Sequence, residues 1–413
     1  MKLYKRENYL SKLRGFYNVT DIIKVITGVR RSGKSSILQL IINELLEGGV
    51  NESNIFDINL EKRGFISIRS PEALDAKINE LVALSNRKEI KYLFIDEIQY
   101  IEGFEELINS YRAEGDFSIF ITGSNSYLLS SEIGTRLTGR YISLEVFTLN
   151  FEEYESMKAF YKKQIDSNPL VELNNYIREG GFPRTILFDS YSDKLTYVQN
   201  IVDEIFEKDI KTRAKIKNTQ SFNIVTDFII GNFGSTFSIN SLEKEMVKKG
   251  NCISRSTLSK YIDLLIKAKI IYECNRFDTK SKKILAGEKK YYLADTSFYY
   301  ARNTDNKVNY GPALENMVYI YAKSKNYSIS VGKIGSFECD FIVRSPSLGF
   351  AYIQVCYSIL SSKETEDREY RSLEKIKDNW PKYVATTDYS LQQKNGIKHI
   401  NILDFIKDNK EFC

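Results

Sequence analysis

The stretch Asp21-Ile-Ile-Lys-Val-Ile-Thr27-Gly28-Val29-Arg30-Arg31-Ser32-Gly33-Lys34-Ser35-Ser36 decides the fold. Asp21 to Thr27 reads as an apolar, β-branched strand, and Lys34 to Leu46 has helical spacing. Between them, Gly28 to Ser35 spells G-x-x-x-x-G-K-[ST], the Walker A phosphate-loop pattern, in the strand–loop–helix setting it requires. The glycines let the backbone curl so that successive N–H groups face a phosphate. The helix N-terminus adds partial positive charge. Lys34 is expected to reach the β- and γ-phosphates of ATP, and the Ser35 hydroxyl to bind Mg2+. Val29, Arg30, Arg31, Ser32 and Ser36 complete the expected ATP-binding segment. The bland alternative, a Gly-rich surface turn with a solvated lysine, does not account for the strand and helix on either side.

Working outward, Asn54 to Leu60, Lys91 to Ile95 and Ser118 to Thr122 read as strands, and Pro71 to Leu84 and Phe104 to Glu114 as helices. Near-continuous apolar strands alternating with helices imply an α/β fold with a parallel sheet covered on both faces. Tyr92-Leu-Phe-Ile95-Asp96-Glu97 ends such a strand in two carboxylates, a Walker B pattern. Asp96 is expected to order the metal and Glu97 to act as general base on water. Alone, an acidic pair after a strand is a helix cap or a solvated loop; downstream of a phosphate loop the catalytic reading prevails. Ile119-Phe-Ile-Thr122-Gly123-Ser124-Asn125 places polar residues at another strand's carboxyl end, where such sheets bind ligands. Ser124 and Asn125 either sense the γ-phosphate and position water or form an ordinary turn. Arg136 and Arg140 either act as an arginine finger on a neighbouring subunit of a homo-oligomer or are surface charges.

The chain has 413 residues, enough for two or three domains, with 42% hydrophobic and 27% charged residues, as in ordinary globular chains. Lys plus Arg (59) exceed Asp plus Glu (54) by a net charge of +5, which permits nucleic-acid binding without requiring it. No long apolar run predicts a membrane span, and Met1 to Phe16 is basic without the apolar segment of a secretory signal. Cys252, Cys274, Cys339, Cys356 and Cys413 are scattered and odd in number, which fits a reducing cytoplasm. His399 is the only histidine, so poly-histidine zinc sites are impossible and a Ser-His-Asp mechanism has no evident centre.

With these residues in hand, the chain resembles bacterial and archaeal AAA-type ATPases that carry an uncharacterised C-terminal domain. The resemblance spans nearly the whole chain. It rests on the phosphate loop, Leu93-Phe-Ile-Asp96-Glu97-Ile-Gln99, Ile121-Thr-Gly-Ser124, Leu137-Thr-Gly139-Arg140 and Gly311-Pro-Ala-Leu-Glu315-Asn316. Such proteins look related to signalling and replication-initiator ATPases, where a Gly-x-Pro in a helical lid lies near the adenine. Gly181-Phe182-Pro183-Arg184 is similar to it. The resemblance therefore implies that Pro183 packs on the base and Arg184 approaches phosphate, against the simpler reading of a helix-ending turn.

Two further segments carry patterns. Phe237 to Met246 reads as a short helix, Ser256 to Lys269 as an amphipathic one, and Ile270 to Asn275 with Lys289 to Leu293 as two strands flanking Lys280, Lys282 and Lys283. This spacing suits a winged helix-turn-helix that meets duplex DNA through Arg255, Ser256, Thr257, Lys260 and the wing lysines, or that packs on protein. Later strands are expected at Tyr327 to Val331, Cys339 to Val343, Ala351 to Val355, Tyr383 to Thr387 and Ile400 to Leu403, with a helix at Glu366 to Lys377. There, Glu315, Asp340 and Gln354-Val-Cys356 follow the acid–Asp–(Asp/Glu)-x-Lys pattern of restriction-endonuclease-like nucleases, but Gln354 and Cys356 replace the acid and the lysine. A thiol cannot replace an ammonium, so this is expected to be a relic site without cleavage activity.

The expected organisation is a P-loop ATPase domain over residues 1–155, a helical lid over 156–217, a winged helix over 218–304 and an inactive restriction-endonuclease-like domain over 305–413. The expected function is Mg2+-dependent ATP binding and hydrolysis that switches a DNA- or protein-binding C-terminal region. The alternatives are a nucleotide-gated binding switch with negligible turnover, and an ATP-gated DNA nuclease.

Overall fold

A computed structural model describes residues 2–86, 88–124, 139–212, 214, 216–303, 308–347 and 349–413. Its contacts divide the chain into two units, Met1–Val146 and Phe147–Cys413.

The first unit runs α1 (Glu7–Arg14), β1 (Ile23–Thr27), α2 (Lys34–Glu47), β2 (Ile55–Asn59), α3 (Pro71–Leu84), β3 (Lys91–Asp96), α4 (Phe104–Glu114), β4 (Phe117–Gly123) and β5 (Tyr141–Glu145). The strands form one parallel sheet in the order β2-β3-β4-β1-β5. Strand β3 is buried throughout, and its alternate side chains enter different cores. Leu93 and Ile95 join Ile119, Ile121, Leu74, Ile78 and Ile108 on the α3/α4 face. Tyr92 and Phe94 join Phe120, Leu10, Leu13, Ile37 and Ile41 on the α1/α2 face. Phe94 and Phe120 stack there with ring centroids 4.7 Å apart. Burial on both faces is why β3 and β4 are largely apolar runs without regular polar alternation. Helix α3 starts where Ser70 accepts from Ala73 N–H and Pro71 supplies a preset φ. The sequence reading contained neither α1 nor β5: α1 is short and largely polar, and β5 is half-exposed at the sheet edge.

The second unit begins with helices α5 (Phe151–Phe160), α6 (Pro169–Glu179), α7 (Tyr191–Glu204) and α8 (Thr219–Gly231). It continues as β6 (Thr236–Phe237), α9 (Ile239–Lys248), α10 (Arg255–Lys267), β7 (Ile271–Asp278), β8 (Lys283–Leu293), α11 (Ser297–Arg302), α12 (Tyr310–Ser324), β9 (Ser328–Ile334), β10 (Phe337–Arg344) and β11 (Phe350–Val355). It ends with α13 (Lys363–Glu374), β12 (Lys382–Thr386), β13 (Gln393–Lys394), β14 (Ile397–Asn401) and α14 (Ile402–Lys407). Its strands form a single mixed sheet, β13-β14-β12-β11-β10-β9-β7-β8-β6. The β7/β8 hairpin is joined to the later strands by parallel pairing of Arg276, Phe277 and Asp278 with Val331, Gly332 and Lys333.

Two local expectations are corrected. Of Ile400 to Leu403 only the first two residues are strand: β14 stops at Asn401, whose side chain accepts from Leu403 and Asp404 N–H and starts α14. Phe237 is not helical: it pairs with Lys289 in the sheet, and the helix begins at Ile239 after a Ser238/Ser241 capping box. Among the described residues no helix is long and apolar enough to cross a membrane.

Lys24, the second residue of β1, breaks the apolar rule of the first unit and is fully buried. Its amine donates to Val19 O (2.6 Å), Ile22 O (3.1 Å) and Ser118 Oγ (2.8 Å), which ties the preceding turn to β4. Burial pushes its pKa down from 10.5 to about 7. Between those two pH values the unfolded chain binds more protons than the folded one, so stability should rise with pH, by at most about 1.4 kcal/mol per unit from this residue. Lys24→Met removes that contribution. Urea unfolding of both proteins at about pH 7.5 and pH 9.5 should show the wild type gaining on the variant at the higher pH; a constant difference would contradict the assignment.

Candidate functional site

The site forms at the carboxyl ends of β1, β3 and β4. The chain leaves β1 at Thr27 and turns at Gly28, where φ is 150° and a Cβ would lie 2.2 Å from Val146 O. Only glycine permits that approach. Val146 N–H donates to Thr27 O at 2.7 Å, which fixes the loop's entry. Arg31 and Gly33 have φ of 67° and 103°, and Ser32 N–H donates to Val29 O at 3.1 Å, so the loop curls tightly before α2. Ser35 and Ser36 lie in the first turn of α2, whose leading N–H groups have no carbonyl to bond within the helix. Val29 is buried, as is Arg30, which reaches Glu61 Oε1 at 3.3 Å; Arg31 is exposed. Tyr100 donates to the same Glu61 oxygen at 2.9 Å.

Lys34 is buried and folds back over the loop. Its Nζ lies 3.2 Å from the carbonyl oxygens of Gly28 and Val29 and 3.9 Å from Glu97 Oε1. Asp96 and Glu97 are both buried at the end of β3. The Thr122 hydroxyl on β4 donates to Asp96 Oδ1 and accepts from Glu97 N–H at 2.9 Å. Asn59 on β2 donates to the other Asp96 oxygen at 2.7 Å. Glu97 has φ of 61°, a conformation that bulky L-residues adopt only when their surroundings impose it. Burial pushes its carboxyl pKa up, and the nearby Lys34 and Arg30 only partly offset this. Gln99 donates to Glu97 and, at 3.3 Å, to the buried Ser124 Oγ.

Thr27 Oγ1, Ser32 Oγ and Gln99 Oε1 are buried there without a hydrogen-bond partner among the described residues. Buried polar atoms are normally satisfied, and these three lie where the loop and the two acids meet. The donors face the loop and the acids face Lys34, a set that fits a phosphate with a hydrated divalent cation.

Other expected site residues lie elsewhere. Arg140 is exposed just before β5, and its carbonyl accepts from Ile23 N–H at 3.0 Å. In a parallel sheet that is the end opposite the phosphate loop, roughly 13 Å along β1, so the structure does not bring Arg140 to the site of its own chain. Asn125 and Arg136 lie outside the described residues. Pro183 and Arg184 belong to the second unit, where they open a 3-10 turn after Gly181, whose N–H donates to the fully buried Asp295 at 2.8 Å. The roles of Thr122, Asn59 and Gln99 escaped the sequence reading. Thr122 stood in a quoted strand, but nothing in its type said which acid it would face.

The second unit gathers the residues of the relic-nuclease pattern around an unforeseen lysine. Lys290 on β8 is buried, with Nζ 3.1 Å from Glu315, 3.2 Å from Glu338 and 3.7 Å from Asp340. Burial opposes its charge, but the carboxylates outweigh that and raise its pKa. Burial likewise raises the carboxyls of Glu315 and Asp340. Tyr292 donates to Glu315 at 2.9 Å, and Asp340 Oδ2 accepts from Val355 N–H at 2.8 Å. Gln354 Oε1 lies 3.4 Å from Asp340 N–H and from Ser372 Oγ. An ammonium thus faces these acids from β8 and not from position 356. Period-two alternation in Lys289-Lys290-Tyr-Tyr-Leu was the available signal, since it points one of the two lysines inward. Among the described residues no three His, Cys, Asp or Glu side chains are grouped as metal ligands.

Comparison with known proteins agrees with the loop geometry. Residues 20–155 match an AAA domain family, and residues 170–307 match a domain of unknown function. An uncharacterised protein of Haemophilus influenzae is 34% identical over 408 residues, covering 98% of this chain and 98% of its own. An uncharacterised protein of Methanocaldococcus jannaschii is 32% identical over 371 residues, covering 87% of this chain and 80% of its own. A Walker-type ATPase of Pyrococcus abyssi shares the fold at a TM-score of 0.52 and 16% identity, over 73% of this chain and 96% of that one. The chain belongs to one family with the Haemophilus influenzae and Methanocaldococcus jannaschii proteins, and its first unit is a P-loop AAA-type ATPase domain.

Proposed function

We propose that the protein hydrolyses ATP with Mg2+ and uses the nucleotide state to switch a DNA- or protein-binding second unit. The observation that carries this is the convergence of Lys34, Asp96 and Glu97 at one end of the sheet, with Lys34 Nζ 3.9 Å from Glu97. In this reading the loop N–H groups and Lys34 bind the phosphates, and Ser35 and Asp96 hold the metal, which would neutralise phosphate charge. Lys34 exchanges the Gly28 and Val29 carbonyls for phosphate oxygens on binding. That draws it off Glu97, which is then free to accept a proton from the attacking water. Burial favours such an acceptor by keeping its pKa high enough to take the proton. Ser124, through Gln99, keeps Glu97 oriented, and Asn125 is read as a partner of Ser124 in sensing the γ-phosphate or positioning water. Arg140 or Arg136 is read as acting on a neighbouring copy in a homo-oligomer; Arg140 is at the wrong strand end for its own loop.

In the second unit we read β6, α9, α10 and the β7/β8 hairpin, residues 218–304, as a winged helix. Leu258, Tyr261, Ile262 and Leu265 of α10 are buried, while Arg255, Ser256 and Lys260 are exposed, and so are the hairpin's Lys280, Lys282 and Lys283. An exposed basic face beside a basic hairpin favours duplex DNA over protein as the occupant. Residues 156–217 are read as the lid and 305–413 as a restriction-endonuclease-like fold. The latter is read as a binding module: Lys290 is saturated by carboxylates, and Asp340 spends an oxygen on Val355 N–H. The scattered free thiols suit a reducing cytoplasm.

Lys34→Ala should abolish nucleotide binding, whereas Glu97→Gln should bind ATP and lose turnover, as followed by nucleotide titration and phosphate release. Measurable turnover in Glu97→Gln would remove Glu97 as the base. Duplex DNA should raise ATP turnover and bind with an affinity that falls steeply with salt. Replacing Lys280, Lys282 and Lys283 together by Ala should flatten the slope of log K against log salt by about one unit per lost phosphate contact. A salt-independent interaction, or none, would move the reading to a protein partner. Lys290→Met should destabilise the protein by about 3–5 kcal/mol, since it leaves buried carboxylates facing one another; an unchanged denaturation midpoint would show that the network is not structural.

A further inference from the structure

Residue Arg6 lies outside the matched AAA domain, ahead of α1, yet it is buried against the phosphate loop. Its Nη1 donates to Ser32 O at 3.0 Å. Its guanidinium lies 4.4 Å from the ring centroid of the buried Tyr9, whose hydroxyl accepts from Nη2 at 3.4 Å. Tyr9 and Leu10 N–H both donate to Arg6 O, at 3.0 and 3.3 Å, so the first turn of α1 fixes the residue from its backbone as well.

We propose that Arg6 is a positioning residue for the β-phosphate, acting through the Ser32–Gly33 peptide. In a planar trans peptide the C=O and the following N–H point in opposite directions. A cation that holds Ser32 O on one side of the loop therefore turns Gly33 N–H to the other side, where the phosphate sits. On the Gly33 side, where φ is 103°, there is no side chain to restrict its rotation. The charge also polarises the peptide, making Gly33 N–H a stronger donor. Lys34 holds the Gly28 and Val29 carbonyls but must release them to reach phosphate. Arg6 makes no such exchange, so it sets the loop's shape in both the empty and the occupied state.

This inference rests on the nucleotide-binding reading of the loop. Its test uses the full chain as wild type, Arg6→Gln and Arg6→Lys, with ADP and AMP displacing a fluorescent ADP analogue. ADP carries the β-phosphate and AMP lacks it. Arg6→Gln should weaken ADP about tenfold, the loss of one charge-assisted hydrogen bond, and leave AMP within about twofold. Arg6→Lys should recover part of the loss. The KM for ATP should rise with kcat nearly unchanged, because the bond is made alike in ground and transition states. If Arg6→Gln does not fold, Arg6→Lys carries the same comparison: its ADP affinity should fall at least about threefold with AMP unchanged. Equal losses for ADP and AMP, or no loss for either, overturn the role of Arg6 while nucleotide binding stands. A wild type without affinity for ADP overturns both.

Discussion

The buried Thr122 hydroxyl is the constraint on which the first unit's site depends. It donates a hydrogen bond to the Asp96 carboxylate and accepts one from Glu97 N–H. One side chain on β4 thereby sets the direction of the first acid and the backbone of the second. Glu97 is held left-handed at φ 61°, which aims consecutive carboxylates in different directions. Since β4 lies between β3 and β1 in the sheet, the same strand also sets the distance from the acids to the phosphate loop. The desolvation that raises the Glu97 pKa and the nearby cations that lower it are both consequences of this placement.

In the second unit the corresponding role falls to β8 and the residues that follow it. Lys290 holds Glu315, Glu338 and Asp340, and Tyr292 adds a second bond to Glu315. Asn316 brackets Leu293 by accepting from its N–H at 2.7 Å and donating to its carbonyl at 3.0 Å. Asp295 then takes the N–H of Gly181. A single segment thus binds α12, β10 and the turn after α6. The phrase Gly311-Pro-Ala-Leu-Glu315-Asn316 has a structural explanation here: its last two residues are the ones that reach β8. Removing one partner of such a network costs more than forming it gains, because the charges left behind remain buried.

The layers of the first unit were legible because their physics is local and repetitive. Strands buried on both faces must be apolar throughout, helices carry a 3.6-residue stripe, and caps such as Ser70 announce where a helix starts. The elements that escaped were those with weaker signatures: α1, mostly polar, and β5, half-exposed at an edge. Ile402 and Leu403 were misread as strand because a short apolar run does not distinguish a strand from a helix start; the Asn401 cap decided it. Within the site, Lys34, Asp96 and Glu97 were readable from spacing. Thr122, Asn59 and Arg6 were not, since Thr, Asn and Arg are common on any surface and only the fold shows what they touch.

By itself, the amino-acid sequence determined a parallel α/β sheet with a phosphate loop after one strand and a pair of acids after another. Those features depend on residue type and spacing over a few residues, where sterics and burial act directly. The tertiary structure alone decided which long-range groups meet. It sent Arg140 to the far end of the sheet from the loop, delivered a lysine from β8 to carboxylates on α12 and β10, and joined the β7/β8 hairpin to the later strands. Each of these depends on register and chain crossing, which bring together residues far apart in sequence and leave no local pattern to read.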